Sequence, residues 1–216
     1  MRLNKYLALH TDLSRRGADQ AVSDRRVMIG DQLAQLGQTV SDSDKVYLDQ
    51  RLITPDTTAK TIILNKPVGY VCSRNGQGSM TVYDLIPTTL HNLNSVGRLD
   101  KDSSGLLLMT NDGNLANKLT HPSFEKQKVY RVTLNKPLRA DDHKKIEQGI
   151  QLEDGTSRLA IKKLSYDTYE ITMHEGRNRQ IRRTFEELRY FVRELERTQF
   201  GPYKLGELKS GKWIAS

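Results

Sequence analysis

One cysteine, one tryptophan and only six prolines in 216 residues set the first limits on this chain. The single cysteine, Cys72, has no intramolecular disulfide partner, which fits a reducing compartment, and it is read as a small buried hydrophobe without a catalytic role. No apolar run approaches the ~20 residues that a membrane span requires. The N-terminal MRLNKYLALH lacks both the apolar stretch and the small-residue cleavage site of a secretory signal, so a cytoplasmic protein with no membrane partner is expected. The five histidines, His10, His91, His121, His143 and His174, show no ligand-like spacing and have no cysteine companions, which argues against zinc. Internal repeats and low-complexity segments are also missing.

What is present is charge of one sign. Hydrophobic residues make up 36% and charged residues 28% of the chain, as in a soluble globular protein of one or two domains. The net charge of +8, with a pI near 9.5, points to a polyanionic partner. Residues 1–54 carry eight Lys/Arg against seven acids, whereas residues 175–216 carry ten against six. Four of those ten lie in GRNRQIRR, Gly176 to Arg183. A smaller cluster is Arg15, Arg16, Arg25 and Arg26.

The first fifty residues read as a separate module. Leu3, Leu7 and Ala8 share a helical face. Ser14 is placed to cap a second helix with Ala18, Ala21 and Val22 inside and Arg15 and Arg16 outside, although Gly17 stands where a capping box would have Glu. A strand at Val27–Ile29, a Gly30-Asp31 turn and a strand at Lys45–Leu48 follow. Residues 51–60, with Pro55, lose apolar periodicity and read as a linker to a second domain over 61–216. Its expected strands are Thr61–Asn65, Gly105–Thr110, Val129–Leu134, Tyr169–His174 and Val192–Thr198. Its expected helices are Leu115–Thr120, Ala140–Gln148 and Asn178–Arg189, the last with Ile181, Phe185 and Leu188 inward. Strands and helices without regular alternation indicate an α+β fold on a mixed, largely antiparallel sheet.

Within GRLDKDSSGLLLMTNDG, Gly97 to Gly113, Arg98 and Asp100 fall on a tight loop before a buried run, a usual place for reactive groups. Asp100 is either a turn cap or a reactive carboxylate. An arginine from the 177–183 cluster would keep such a carboxylate ionised in a dry site without any metal. Asp100 with Asp102 could instead hold Mg²⁺, on the weak signal of a bare D-x-D. Tyr130 shares a strand face with Val132 and Leu134: it is a core residue by period, or the wall of a pocket that stacks on an extruded base or handles a proton. GRNRQIRR reads either as a solvated helix start with Arg182–Glu186 and Arg183–Glu187 pairs, or as a cluster facing phosphates or a carboxylate. Its position against the helix macrodipole favours the second. Lys66, in the Lys-Pro turn of LNKPVGYVCS, is either a surface charge or a phosphate contact.

Four segments, LNKPVGYVCS, GRLDKDSSGLLLMTNDG, EKQKVYRVTL and GRNRQIRRTFEEL, occur in the order seen in RsuA/RluB-type ribosomal RNA pseudouridine synthases, which the chain resembles over nearly its whole length. Residues 1–50 resemble the RNA-binding domain (alpha-L) named for small-subunit ribosomal protein S-four. The resemblance implies isomerisation of uridine within ribosomal RNA or an assembling ribosomal subunit, without metal, small-molecule cofactor or redox group, by a monomer. It assigns Asp100 as the catalytic aspartate, Arg182 as the arginine paired with it, and Tyr130 and Ile181 as the residues beside the uracil. Arg98 becomes the residue that enters the RNA and holds the base out. Lys66, Arg177, Arg179 and Arg183, with Arg15 and Arg16 of the N-terminal module, are the further RNA-binding candidates. Arg25 and Gly30-Asp31 depart from the family's glycine and Asn-Gly, Arg189 from a helix-ending glycine, and Ser103 and Ser104 from threonine. The stretch from Gly149 to Gly155 and NRQIRR lean towards large-subunit RNA.

Two other readings remain at this point: a non-catalytic RNA-binding or assembly factor, for which Asp100 is dispensable, and a metal-dependent nuclease built on Asp100 and Asp102. For the isomerase, the base must leave the stack, and a carboxylate either attacks the anomeric carbon or removes a proton from the adjacent ribose carbon.

Overall fold

The computed structural model describes residues 1–41, 43–54, 58–121 and 126–216. The chain divides into two compact units, Met1–Ala59 with Thr88–Asn92, and Lys60–Pro87 with Leu93–Ser216. In the first unit, α1 (Leu3–His10) buries Leu3, Tyr6 and Leu7. The second helix, α2 (Arg15–Ser23), starts where the Ser14 side chain accepts the Gly17 N–H at 3.0 Å, and it buries Ala18, Ala21 and Val22. Arg15 and Arg16 stay exposed on its first turn. Strands β1 (Val27–Ile29), β2 (Gln32–Leu33), β3 (Val46–Leu48) and β4 (Arg51–Leu52) form an antiparallel sheet in the order β2-β1-β3-β4. Gly30-Asp31 is the two-residue connection between β1 and β2, and Gly30 takes φ +56° as such a turn demands.

The segment read as a linker starts later than its composition suggests. Tyr47 pairs with Leu52 and Leu48 with Arg51, and Ile53 is buried among the core residues of this unit. Two-residue strands are too short for an alternating pattern to reveal. Pro55 to Thr57 of that segment lie outside the described residues.

The second unit is built on a nine-stranded sheet. Its strands are β5 (Thr61–Lys66), β6 (Asn94–Val96), β7 (Ser104–Thr110), β8 (Lys128–Leu134), β11 (Ala160–Lys163), β12 (Thr168–Met173), β13 (Val192–Phe200), β14 (Tyr203–Lys204) and β15 (Trp213–Ala215). The order is β11-β12-β8-β13-β7-β5-β15, with β14 on β13 and β6 on β7. Only the β7–β13 pair is parallel. The remaining elements are α3 (Gly113–Thr120), α4 (Ala140–Gln148), a β9–β10 hairpin (Ile150–Leu152, Gly155–Ser157) and α5 (Gln180–Glu187). The longer expected elements are present to within two residues at each end, and the mixed, largely antiparallel sheet is as expected. Among the described residues, no helix is long and apolar enough to cross a membrane.

The centre of this sheet depends on one glycine. Gly105 lies in parallel register with Arg197 and has φ +100°. A Cβ at Gly105 would sit 2.6 Å from the Arg197 backbone nitrogen and closer still to its carbonyl oxygen. No side chain fits between strands that close.

Both family departures at helix ends carry backbone strain. After α5, Arg189 has φ +59° while its N–H bonds the Glu186 carbonyl and the Tyr190 N–H bonds that of Phe185. After α2, Arg25 has φ +58°, with its N–H on Val22 and the Arg26 N–H on Ala21. These are Schellman caps, whose left-handed position favours glycine. Replacing exposed Arg189 by Gly should therefore raise stability by about 1 kcal/mol, read as a higher urea midpoint. Gly105→Ala should lower stability by on the order of 3 kcal/mol in the same assay, because backbone must separate from backbone.

Candidate active site

The GRLD segment connects β6 to β7 as a loop tied down on three sides. Gly97 turns at φ +69°, Arg98 points to solvent, Leu99 is buried and Asp100 is half-buried. The Ser103 N–H closes the turn on the Asp100 carbonyl at 3.1 Å, and the Gly69 N–H reaches the Lys101 carbonyl at 2.7 Å. The Cys72 thiol exchanges 3.4 Å hydrogen bonds with the Leu99 backbone, and burial pushes it above its usual range.

Lys66 is neither a surface charge nor a phosphate contact, which corrects the sequence reading. It is fully buried, and its ammonium donates to the carbonyls of Pro67 at 3.0 Å, Asp100 at 3.0 Å and Ser103 at 2.6 Å. All three ammonium hydrogens thus have partners, and the Asp100 backbone is fixed. Burial pushes Lys66 below the ordinary lysine value, against the pull of Cys72, Asp100 and Asp102. β5 is half-buried at Thr61 and buried at every later position to Lys66.

The arginine cluster is distributed among named acceptors. Arg179, in the left-handed conformation ahead of α5, donates from Nη1 to both Asp102 oxygens at 3.1 Å and lies 3.9 Å from Asp100 Oδ2. Arg182 points inward from the first turn. Its Nη1 donates to the Val192 carbonyl at 2.9 Å and its Nη2 to the Asp102 carbonyl at 2.7 Å, while Nε lies 3.3 Å from Asp102 Oδ2 without hydrogen-bond alignment. Here the structure differs from the sequence reading: Arg182 sits on Asp102, and the arginine beside Asp100 is Arg179. The reason is helical geometry, since a residue ahead of the helix reaches the loop face that a first-turn side chain passes beneath. Burial lowers the Arg182 guanidinium from its usual value while Asp102 and Asp100 raise it.

Arg177 and Arg183 both hold Asp154 in the β9–β10 turn. Arg183 is bidentate, at 3.0 Å and 2.6 Å, and Arg177 adds the carboxylate, the Asp154 and Gly155 carbonyls and the Thr156 carbonyl, each at 2.9 Å. The Arg182–Glu186 and Arg183–Glu187 pairs considered from spacing do not form. Behind this clamp, Gln180 donates to Ser157 Oγ at 3.0 Å and to the Glu175 carboxylate, and the Thr184 and Ser157 hydroxyls share a 2.8 Å bond. Asp154 and Arg197 were missed as functional positions, and Asp102 was considered only as a magnesium ligand, not as the partner of Arg179 and Arg182. Arg197 was legible, because two-residue alternation places it on the face of buried Leu195.

These elements surround a cleft of about 570 Å³ whose lining includes Arg98, Asp100, Tyr130, Arg179, Ile181 and Arg197. Tyr130 is half-buried against the core cluster that holds Ile181 and Val132, so it is a core side chain and a wall of the cleft together. Arg98 has no ion pair among the described residues and lies on the rim. Two guanidinium groups already hold the Asp102 carboxylate, which is a poor place for a third cation and weakens the D-x-D magnesium reading. The cleft can therefore accept a flat ring beside Tyr130 and Ile181, with the Asp100 carboxylate at hand, a second carboxylate, Glu175, held by Arg177 and Gln180, and a cationic rim.

The Asp154 clamp gives a pH signature. Hydrogen bonding to Arg183 holds the Asp154 carboxyl below its usual range. A depressed folded-state value adds stability above the unfolded value and loses it as pH falls through the folded one. Asp154→Asn should therefore lower the melting temperature at neutral pH. The gap from wild type should close in melts taken from pH ~7 down to ~3.

Comparison with known proteins identifies the family. Residues 60–187 match the family model described as RNA pseudouridylate synthase. An Aquifex aeolicus protein described as an uncharacterized RNA pseudouridine synthase is 36% identical over 99% of this chain and 89% of its own length. Ribosomal large subunit pseudouridine synthase B of Xylella fastidiosa (strain Temecula1) is 35% identical over 93% of this chain, which spans 45% of that longer protein. A crystal structure of a pseudouridylate synthase superposes with a TM-score of 0.73 at 31% identity, covering 100% of this chain and 96% of that one. A cleft with the Asp100 carboxylate on a pinned loop, walled by Tyr130 and Ile181, thus sits in a chain that belongs to the RNA pseudouridylate synthase family.

Proposed function

We propose that this enzyme isomerises a specific uridine of ribosomal RNA to pseudouridine, with Asp100 as the reacting carboxylate and large-subunit RNA as the favoured substrate. The observation that carries the reading is the placement of Asp100. Its backbone is fixed by the Lys66 ammonium, and its carboxylate stands 3.9 Å from Arg179 at a cleft lined by Tyr130 and Ile181. The large-subunit preference draws support from the name carried by the Xylella relative.

The chemistry follows from these positions. A uridine stacked in a helix cannot reach Asp100, so the base must leave the stack at a cost of a few kcal/mol. Arg98, exposed on the rim beside Gly97, is placed to occupy the space the base vacates. Tyr130 and Ile181 sandwich the extruded ring, and the Arg179 guanidinium stands 3.9 Å from the Asp100 carboxylate as a cationic neighbour of the reacting group. The carboxylate then attacks the anomeric carbon or takes the proton from the neighbouring ribose carbon. Either way the glycosidic bond breaks, the ring turns, and carbon five rejoins the sugar. Arg182, through the Asp102 carbonyl and the Val192 carbonyl, holds α5 against the loop and so positions Asp100. In the N-terminal unit, the exposed Arg15 and Arg16 are placed to contact RNA phosphates. The enzyme works as a cytoplasmic monomer in this reading, on free RNA or on an assembling subunit.

The test is carbodiimide-stop primer extension on ribosomal RNA and subunit assembly intermediates, in chelator, with wild type and Asp100→Asn. Wild type should create one new stop, and Asp100→Asn should lose it by on the order of 10³-fold or more. A mutant as active as wild type removes Asp100 from its role, and the absence of any stop with wild type refutes the ribosomal reading. Arg182→Ala should lower the single-turnover rate far more than RNA affinity; equal losses in both would make it an RNA contact only.

A further inference from the structure

The floor of the cleft contains a cation that the roles above do not use. Arg197, on β13, is 2% exposed and lines the cleft. Its Nε donates to the Leu106 carbonyl at 2.8 Å, and its guanidinium carbon lies 4.8 Å from the Phe200 ring centroid. Nη2 is buried with no hydrogen-bond partner, and no carboxylate pairs with Arg197 among the described residues. A guanidinium in that state is costly, because its lost hydration is not replaced. The strand register fixes where it points. Arg197 is paired with Tyr130 on one side and Gly105 on the other, so its side chain and that of Tyr130 leave the sheet on the same face, into the cleft. Gly105 has no side chain to stand between them.

We propose that Arg197 receives the pyrimidine while it is detached from the ribose, donating from Nη2 to a ring carbonyl oxygen of the uracil anion. This deepens the isomerase reading and rests on it. When the bond between the anomeric carbon and N1 breaks, its electron pair leaves with the ring and spreads over N1 and the carbonyl oxygens. The sugar is left either as an ester of Asp100 or, if Asp100 has removed the ribose proton, as an unsaturated sugar. The ring is then a monoanion that must turn without escaping. A buried fixed donor stabilises the charge where it develops and keeps the ring in the cleft. Carbon five then bonds the anomeric carbon. The proton on carbon five is lost and N1 gains one, so atoms and electrons balance with no co-reactant. Arg197 thus acts on the leaving base, whereas Asp100 acts on the sugar.

The probes are uracil, neutral at pH 7, and 5-nitrouracil, whose nitro group makes it an anion there. Their dissociation constants are measured by ligand-observed NMR on the full-length chain. Wild type should prefer the anion by ~10-fold or more, the worth of one hydrogen bond to a charged group. Arg197→Met, which keeps length and the Phe200 packing, should reduce that preference to about 3-fold or less. A wild type without preference overturns the proposal, as does a preference that survives in Arg197→Met, which would place the anion on Lys128 or Arg179. If a thermal melt shows Arg197→Met unfolded, Arg197→Lys decides, since it keeps the charge and removes the Nη2 fork. A reduced preference in it supports the assignment and an unchanged one overturns it. Pseudouridine formation by wild type is measured in parallel: its absence with anion selectivity intact refutes the ribosomal reading and leaves Arg197 assigned.

Discussion

The second unit depends on the close parallel approach of β7 and β13 at Gly105 and Arg197. Every other pairing in the large sheet is antiparallel, and this one joins the half containing β5 and β7 to the half containing β8 and β12. The GRLD loop enters the sheet at the start of β7, while Tyr130 is fixed on β8 by the same β13 residue that faces Gly105. One backbone contact thus sets the separation between the carboxylate loop and the tyrosine wall. It also buries Arg197 beneath them. A looser junction would widen the cleft and let water reach the cation.

Charge in this unit is arranged by burial more than by number. A net charge of +8 suggests a general affinity for polyanions, yet most of the arginine cluster is internally committed. Asp154 takes Arg177 and Arg183, and Asp102 takes Arg179 and Arg182. Lys66 is spent on three carbonyls. Among the described residues, the cleft cations without a carboxylate ion pair include Arg98 on the rim and Arg197 on the floor. The macrodipole argument from sequence asked for a carboxylate or phosphate opposite the cluster, and within the chain that demand is met by two aspartates on loops.

The sequence carried a large part of this. Ser14, Ala18, Ala21 and Val22 announced α2, and the apolar runs announced β5 and β7, because caps and periodicity are local properties. The departure at Arg189 marked a helix end in the sequence, whereas that at Arg25 was read as a turn position and is a left-handed helix end only in the structure. Other elements were silent. β14, β15 and the strands of the β9–β10 hairpin are two or three residues long, too short for a clear alternation; β14 and β15 form on the edges that β13 and β5 offer, and β9 and β10 pair with each other. Lys66 was misread because a lysine before proline resembles a surface turn, and only the loop folded over it supplies three carbonyls.

Residue types at fixed spacing determined the α+β class, the candidate carboxylate and the family, since these follow from patterns within each segment. Pairing between segments did not follow. Asp102 rather than Asp100 meets Arg182, Arg179 takes the place beside Asp100, and Arg197 lies unpaired under the cleft. Those outcomes turn on ångström distances between residues some eighty or ninety positions apart in the chain, and only the folded sheet sets such distances.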